Sequence, residues 1–510
     1  MTSAIGLIGT ASGQARGPND LWQLPSAIAP ALGQVTPARP CESLMAWRPT
    51  ADAIVRDARI AKNGTDESCR VTIEVTMPAS PHVITVWLRL PTKDWNGRFL
   101  GLGGGGWMPG FPAALDAGES KGFATAITNA GRPYDVSIDP AELGRSVGQN
   151  DFLLDAKGRL DWTALQNFAY RGIHEMTVVG KAVTREFYGK NARYNYFSGC
   201  STGGRQGQSE AQRFPEDYDG VLSGAPVVNW AHLAAADSWP LTLTKELGDV
   251  PQCKFDAAHR AVVAACDADD GAHDGLVSSV GECRFDPKTL EGVATECGAI
   301  SPREAEVIKR IWDGPRRRDG SPLWNGIDSA VLIHAPQPPT NWAGPFADGK
   351  AVDTNSFSLA AFETQFDQFV ERYGAVMDTS NPDLRAFARH GKTLLWHGLA
   401  DDIVPAAGSV HYIESIRRML GPRETDRFLR FYLAPGVGHC GWGDGPQPVA
   451  LLEPLMNWVE HGRAPGILNS ENWDPTGRVT RTRPLCPYPE RARYRGHGSL
   501  DEAASFRCER

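Results

Sequence analysis

Three short stretches of this 510-residue chain carry groups that together could make and break an acyl bond. They are Gly199-Cys200-Ser201-Thr202-Gly203, His397-Gly398-Leu399-Ala400-Asp401 and Gly436-Val437-Gly438-His439-Cys440-Gly441. A serine hydroxyl is a poor nucleophile until a base takes its proton, and an imidazole base works best when a carboxylate fixes its tautomer. Ser201, Asp401 and His439 supply those groups in the chain order serine, acid, histidine. The first stretch matches G-x-S-x-G, in which a serine on a strained turn is flanked by glycines that let neighbouring backbone come close. Asp402 adjoins Asp401 and is the alternative acid, while His397 reads as a support for its loop and His411 as part of a helix-like run. The oxyanion of a tetrahedral intermediate needs N–H donors. Thr202, opening the helix after the serine, offers one, and Gly105 or Gly106 in the run Gly103-Gly104-Gly105-Gly106 offers the other.

Two cysteines touch this constellation: Cys200 precedes the serine and Cys440 follows the histidine. A disulfide between them would hold their Cα atoms within about 7 Å and make serine and histidine neighbours. The alternative is two buried thiols beside unrelated loops. Ten cysteines, an even number with no C-x-x-C pair, read as a disulfide framework rather than as metal ligands. Disulfides persist in oxidising compartments, so a secreted or periplasmic location is expected. Residues 1–16 lack a basic start and have a weak apolar centre, although Ala11-Ser12-Gly13-Gln14-Ala15 resembles a cleavage site. A truncated signal peptide and an unstructured terminus both fit.

Such side chains need a frame. Residues 69–90 alternate apolar positions (Val71, Ile73, Val75, then Val83, Ile84, Val86, Leu88), which predicts paired strands. Further strands are expected at 98–100, 123–127, 194–198, 393–396 and 428–433, with helices at 173–187 and 205–214. Alternating strands and helices predict a parallel sheet with crossover helices, with Ser201, Asp401 and His439 at the ends of three strands. Between residues 228 and 377 the texture changes to Trp- and Pro-rich loops, an Asp-rich turn, and helices around 302–312 and 362–373. The expected organisation is a leader and N-terminal segment (1–40), a catalytic domain (41–227 and 378–510) and an inserted lid domain (228–377).

A net charge of −8 argues against nucleic acid as the main partner, because phosphate binding needs a basic footprint. The run Arg316-Arg317-Arg318 reads as a solvated loop, and no apolar stretch is long enough to span a membrane. Gly101, Gly103 and Gly106 formally match the dinucleotide fingerprint, but Trp107-Met108-Pro109-Gly110 continues as loop, and no organic cofactor is expected. Asp267, Asp269, Asp270 and Asp274 crowd one turn, which a hard cation such as Ca²⁺ would neutralise. This is not an EF-hand, since Gly271 takes the fifth loop position and no Glu closes the loop. A solvated acidic turn is the alternative.

Taken together, Cys200-Ser201, Asp401 and His439-Cys440 resemble the CS-D-HC arrangement of the tannase and feruloyl esterase family. Residues 196–226 (YFSGCSTGGRQGQSEAQRFPEDYDGVLSGAP) look like that family's signature almost throughout, and the resemblance runs from Cys41 to Cys508. It implies an α/β-hydrolase fold with a lid inserted after the nucleophile, and a calcium ion bound in the lid. By position the implied ligands are the carboxylates of Asp267, Asp270 and Asp274 and the carbonyls of Ala272 and Leu276. It also implies the bridges Cys200–Cys440, Cys266–Cys283 and Cys486–Cys508, which leaves Cys41–Cys69 and Cys253–Cys297 to pair by exclusion. The implied substrates are small esters of aromatic acids: feruloyl and other hydroxycinnamoyl esters first, gallate esters next, and in one branch mono(2-hydroxyethyl) terephthalate. Val404, three residues after Asp401, is smaller than the phenylalanine of the terephthalate branch, which counts against that branch. Trp312, Trp324, Trp342, Phe346 and Phe357 could stack on an aromatic acyl group or form lid core. A non-catalytic secreted binding module on a hydrolase scaffold is the rival of another class, and the intact triad argues against it.

Overall fold

The computed structural model describes residues 22–27, 30–33, 35–64, 66–77, 81–133, 148–278, 283–334, 346 and 357–510. The expected leader residues 1–16 and the candidate stacking residue Trp342 lie outside these. Among the described residues, nine strands form one sheet. They are β1 (Ala53–Asn63), β2 (Asp66–Thr76), β3 (Val83–Pro91), β4 (Arg98–Leu102), β5 (Ala124–Thr128), β6 (Tyr194–Cys200), β7 (Gly220–Gly224), β8 (Lys392–Gly398) and β9 (Leu429–Ala434). Their order is β1-β2-β3-β5-β4-β6-β7-β8-β9.

The expectation of a parallel sheet holds from β5 to β9, where every neighbouring pair is parallel. At the other end β1, β2, β3 and β5 pair antiparallel. The parallel strands are buried almost throughout, as strands covered by helices on both faces must be. Helices Gly172–Tyr188, Thr202–Arg213 and Ala406–Leu420 supply those crossovers. Apolar side chains from both sheet faces form the main cores, one around Phe99, Met176 and Leu395 and one around Leu100, Trp396 and Tyr432.

All the described helices and strands between β7 and β8 are helical, including Trp230–Ala236, Trp239–Leu247, Gln252–Cys266, Pro302–Asp313 and Leu359–Met377. This insertion has its own core, built on Trp239, Leu243, Ile308, Ile311 and Phe362. The Pro302–Asp313 helix starts from a capping box, in which Ser301 and Glu304 satisfy each other's backbone N–H groups. The described part of residues 1–40 lies against the sheet domain. The Trp22 indole N–H donates to Gly103 O at 3.0 Å, and Ala38 N–H to Phe187 O at 2.8 Å, so this segment is bonded to the sheet domain.

The C-terminal residues add two small sheets that sequence periodicity does not announce. Gln447–Pro448, Leu468–Trp473 and Val479–Leu485 form one, and Arg491–Tyr494 with Phe506–Glu509 forms the other. All ten cysteines are paired as expected: Cys41–Cys69, Cys200–Cys440, Cys253–Cys297, Cys266–Cys283 and Cys486–Cys508.

Candidate active site

Ser201 stands between the end of β6 and the Thr202–Arg213 helix with φ 60° and ψ −121°. A non-glycine residue adopts such a positive φ at a cost of about 1–3 kcal/mol, and the surroundings must impose it. Here they do. Ser201 N–H donates to Gly224 O at 2.9 Å, continuing the β6–β7 ladder, and Ser201 O accepts from Arg205 N–H at 2.9 Å to open the helix. The flanking glycines leave room for the turn: a Cβ on Gly199 would lie 2.7 Å from Gly203 C, and one on Gly203 would lie 2.8 Å from Gly104 O.

The glycine run after β4 packs directly on this elbow. Gly103 N–H donates to Ser198 O at 3.0 Å, Gly203 N–H to Gly104 O at 3.0 Å, and the Thr202 hydroxyl to Gly106 O at 2.6 Å. Of the two glycine candidates for the oxyanion, Gly105 already donates its N–H to Met108 O at 2.9 Å. Gly104 N–H is likewise committed, to Gln206 Oε1 at 3.1 Å. Gly106, with φ 56°, is the other glycine candidate, and Thr202 N–H sits in the first helical turn, where N–H groups lack helical acceptors. The formal dinucleotide motif therefore closes a loop onto the elbow and opens no crossover helix.

Asp401 and His439 follow β8 and β9, as expected. Ala400 N–H donates to Val437 O at 2.9 Å, which joins the acid and base loops by their backbones. The Asp401 carboxylate is fully buried and saturated. Its Oδ1 accepts from Ile403 N–H at 3.0 Å and Val404 N–H at 2.8 Å. Its Oδ2 meets His439 Nδ1 at 2.8 Å and His397 Nε2 at 3.1 Å. Asp402 instead faces His334 at 3.5 Å, so the histidine goes to Asp401. The contact from His397 was not foreseen. Ser409 Oγ meets the ring's other nitrogen at 2.8 Å.

Burial alone would raise the Asp401 carboxyl, but the charge of His439 and the hydrogen bonds from His397 and His439 hold it well below the ordinary carboxylate range. Burial pulls the His439 imidazolium down, yet the charge and hydrogen bond of Asp401, helped by Asp402, leave its pKa above the usual imidazole value. The Cys200–Cys440 bridge spans 5.9 Å between Cα atoms and fastens the residue before Ser201 to the residue after His439.

The loops around the site pack on an aromatic core on one side. Trp107, next to Gly106, clusters with Phe168, Trp230 and Phe346, and Val404 belongs to the same cluster. Trp312 and Trp324 pack against the core of the insertion, and Phe357 is half-buried. On the other side a cavity of about 390 Å³ opens beside His439, lined also by Ile403, Asp402, Trp442, His334 and Leu276.

The acidic turn lies against that wall. Asp267 Oδ1 accepts from Asp274 N–H at 3.0 Å and Gly275 N–H at 2.8 Å, and Asp270 Oδ1 from Ala272 N–H at 2.9 Å. Arg483, from the C-terminal sheet, pairs with Asp274. Burial, with the neighbouring Asp274 charge, pushes the Asp270 carboxyl above its ordinary value even though Ser278, Ala272 and Arg483 favour its ionised form. Asp267, Asp270 and Asp274 are thus engaged within this partly buried turn and with Arg483, and oxygen donors of this kind are those that hard divalent cations take.

The sheet order, with an elbow after β6 and two further loops at the same edge, defines the α/β-hydrolase class. Within that class the chain belongs to the tannase and feruloyl esterase family, whose profile matches residues 69–354 and 338–509, and it is a carboxylic ester hydrolase. It is 38% identical over 480 residues to a probable feruloyl esterase of Arthroderma benhamiae, covering 88% of this chain and 86% of that one. It is 31% identical over 542 residues to the mono(2-hydroxyethyl) terephthalate hydrolase of Piscinibacter sakaiensis, covering 91% and 87%. Among solved structures, the tannin acyl hydrolase of Aspergillus niger superimposes with a TM-score of 0.79 at 25% identity, covering 90% of this chain and 92% of that one.

Proposed function

We propose that this esterase cleaves esters of aromatic, hydroxycinnamic-type acids, feruloyl esters foremost, through an acyl-enzyme on Ser201. One observation carries the reading: Asp401 holds His439 at 2.8 Å, and the cysteine beside that histidine is bonded to the cysteine beside Ser201. His439 takes the hydroxyl proton as Ser201 attacks the ester carbonyl, and Asp401 stabilises the imidazolium that forms. Gly106 and Thr202 N–H groups receive the oxyanion. His439 returns the proton to the departing alcohol, and water then repeats the sequence on the acyl-enzyme.

The cavity beside His439 gives the alcohol portion room, its volume falling in the range of roughly 300–1,000 Å³ usual for small-molecule sites. The family relationship to a probable feruloyl esterase supports the same choice. Asp267, Asp270 and Asp274 with the carbonyls of Ala272 and Leu276 would hold a calcium ion. It would fasten the turn whose Leu276 abuts Gly436 at the root of the histidine loop. Such an ion supports position and takes no part in the acyl transfer. The helical insertion at 228–377 serves as the lid. No described helix is long and apolar enough to cross a membrane, and five disulfides suit a protein exported to an oxidising compartment.

A fluorophosphonate probe should label the protein, and Ser201→Ala should abolish labelling. An unlabelled wild-type protein would overturn the acyl-enzyme. Turnover of methyl ferulate, methyl gallate, a terephthalate monoester and a short p-nitrophenyl ester then assigns the acyl group. Ferulate is expected to lead, and a lead for gallate or terephthalate would replace it.

A further inference from the structure

His397, next to last in β8, is fully buried, and its ring touches both the loop after the strand and the following helix. Nδ1 lies 2.8 Å from Ser409 Oγ, on the following helix. Nε2 lies 2.8 Å from Val404 O and 3.1 Å from Asp401 Oδ2. A carbonyl oxygen and an ionised carboxylate only accept, so Nε2 must carry a hydrogen and donate it to both. In the neutral ring Nδ1 is then the acceptor, and the Ser409 hydroxyl donates to it. The tautomer is thus fixed by partners that leave no alternative.

The geometry on Asp401 gives this donor a specific task. Two backbone N–H groups fix Oδ1, but Oδ2 has two imidazole partners, His439 and His397. During turnover His439 changes charge, and its ring must stay aligned while it does. With Oδ1 held, an unassisted Oδ2 could still tilt with the His439 ring, and a second donor on it limits that tilt. We propose that His397 is a positioning residue of the triad, a second imidazole whose Nε2–H holds Asp401 Oδ2 in line with His439 Nδ1 throughout the reaction. The inference rests on Asp401 being the acid of the proposed esterase.

A merely structural His397 would tie β8 to the loop through Val404 and Ser409, and its loss would damage the protein regardless of Asp401. A positioning His397 acts through that carboxylate, so the two residues must be energetically coupled. The test uses the full-length protein, with kcat counted per site titrated by fluorophosphonate. His397→Gln can reach forward with an N–H where Nε2 stands, whereas His397→Asn keeps a polar amide that falls short. His397→Asn should lower kcat on methyl ferulate by about 10- to 100-fold with KM changed less than about twofold, the penalty expected for a triad misplaced by about 1 Å. His397→Gln should recover most of that loss. In an Asp401→Ala background the same two substitutions should change the residual kcat less than about threefold.

Equal losses with and without Asp401 would overturn the proposal and leave His397 as a fold residue. So would Asn and Gln variants of equal activity, or a His397→Asn enzyme with wild-type kcat. An Asp401→Ala enzyme that retains wild-type kcat would instead sink the assignment of the acid, a separate outcome. The Gln and Asn variants are compared at matched melting temperature by calorimetry, so an unstable variant is recognised as such.

Discussion

The proton on His439 is held by opposed forces: its burial expels charge, and the adjoining carboxylates attract it. The carboxylates prevail, so the imidazole stays protonated to a higher pH than a free histidine would. Because His439 must be neutral to accept the serine proton, activity is lost as pH falls through that raised pKa. The acid limb of kcat/KM should therefore have its midpoint above the ordinary value of 6.5. Asp402 contributes to the rise without bonding the ring, so Asp402→Asn should move the midpoint to lower pH while leaving the plateau nearly intact. A stopped-rate pH series on both proteins checks the direction. At this scale Ser201, Asp401 and His439 were legible because few side chains can do their chemistry, Ser201 and His439 each adjoin a cysteine, and Asp401 follows a clear apolar strand. His397 was not. Its partners Val404 and Ser409 come to it only when the chain after β8 turns back on itself, and residue type alone does not state that return.

Elements act here through close backbone contact. A Cβ on Gly103 would lie 2.5 Å from Gly203 Cα and 3.0 Å from Gln206 Oε1, so Gly103→Ala must push the glycine run away from the elbow. Loss of one oxyanion donor costs about 10²- to 10³-fold in kcat, and a drop of that order with a smaller change in KM is expected from steady-state kinetics. On the same helix Glu210 is buried, and burial, together with the Asp217 charge, raises its carboxyl well above the usual range. The folded chain keeps that proton while the unfolded chain loses it above the ordinary glutamate value, so this group's effect on stability worsens as pH rises. Glu210→Gln should flatten the fall of melting temperature between pH 5 and pH 8, measured by calorimetry. The central strands were legible because burial on both faces demands continuous apolar runs. β1 was not, since its pairing shifts register between Val55 and Asp57, and the polar Arg56 breaks the alternation there. The C-terminal hairpins escaped for a related reason: Leu468–Trp473 and Val479–Leu485 are mostly polar and half-buried and carry little apolar pattern.

At the scale of the molecule, remote segments converge on one wall. The C-terminal sheet sends Arg483 to Asp274 and Arg493 to Asp269 O at 3.2 Å, so residues near the end of the chain brace the acidic turn of the insertion. A calcium ion at about 100 times its dissociation constant would add about 2.7 kcal/mol of stability. For a chain of this length, chelation should then lower the melting temperature by about 2–3 °C, and Asp270→Asn should abolish the response to chelator. The Cys200–Cys440 bridge spans a sequence separation of 240, and on the chain-entropy model closing such a loop restricts the unfolded state by up to about 5 kcal/mol. Cys200→Ala with Cys440→Ala should lose most activity even where the protein remains folded by circular dichroism. The family was readable from motifs. The convergence of the C-terminal strands on the acidic turn was not, because it depends on contacts across more than 200 residues.

That long covalent loop also bears on survival in a protease-rich medium. A single cut anywhere between residues 200 and 440 severs the backbone but leaves both fragments joined by at least that sulfur bond, with serine and histidine still on opposite ends of it. Nicked enzyme should migrate as one species on a non-reducing gel and as two after thiol treatment. An enzyme damaged in its insertion would in this way stay in one piece at the centre that does the work.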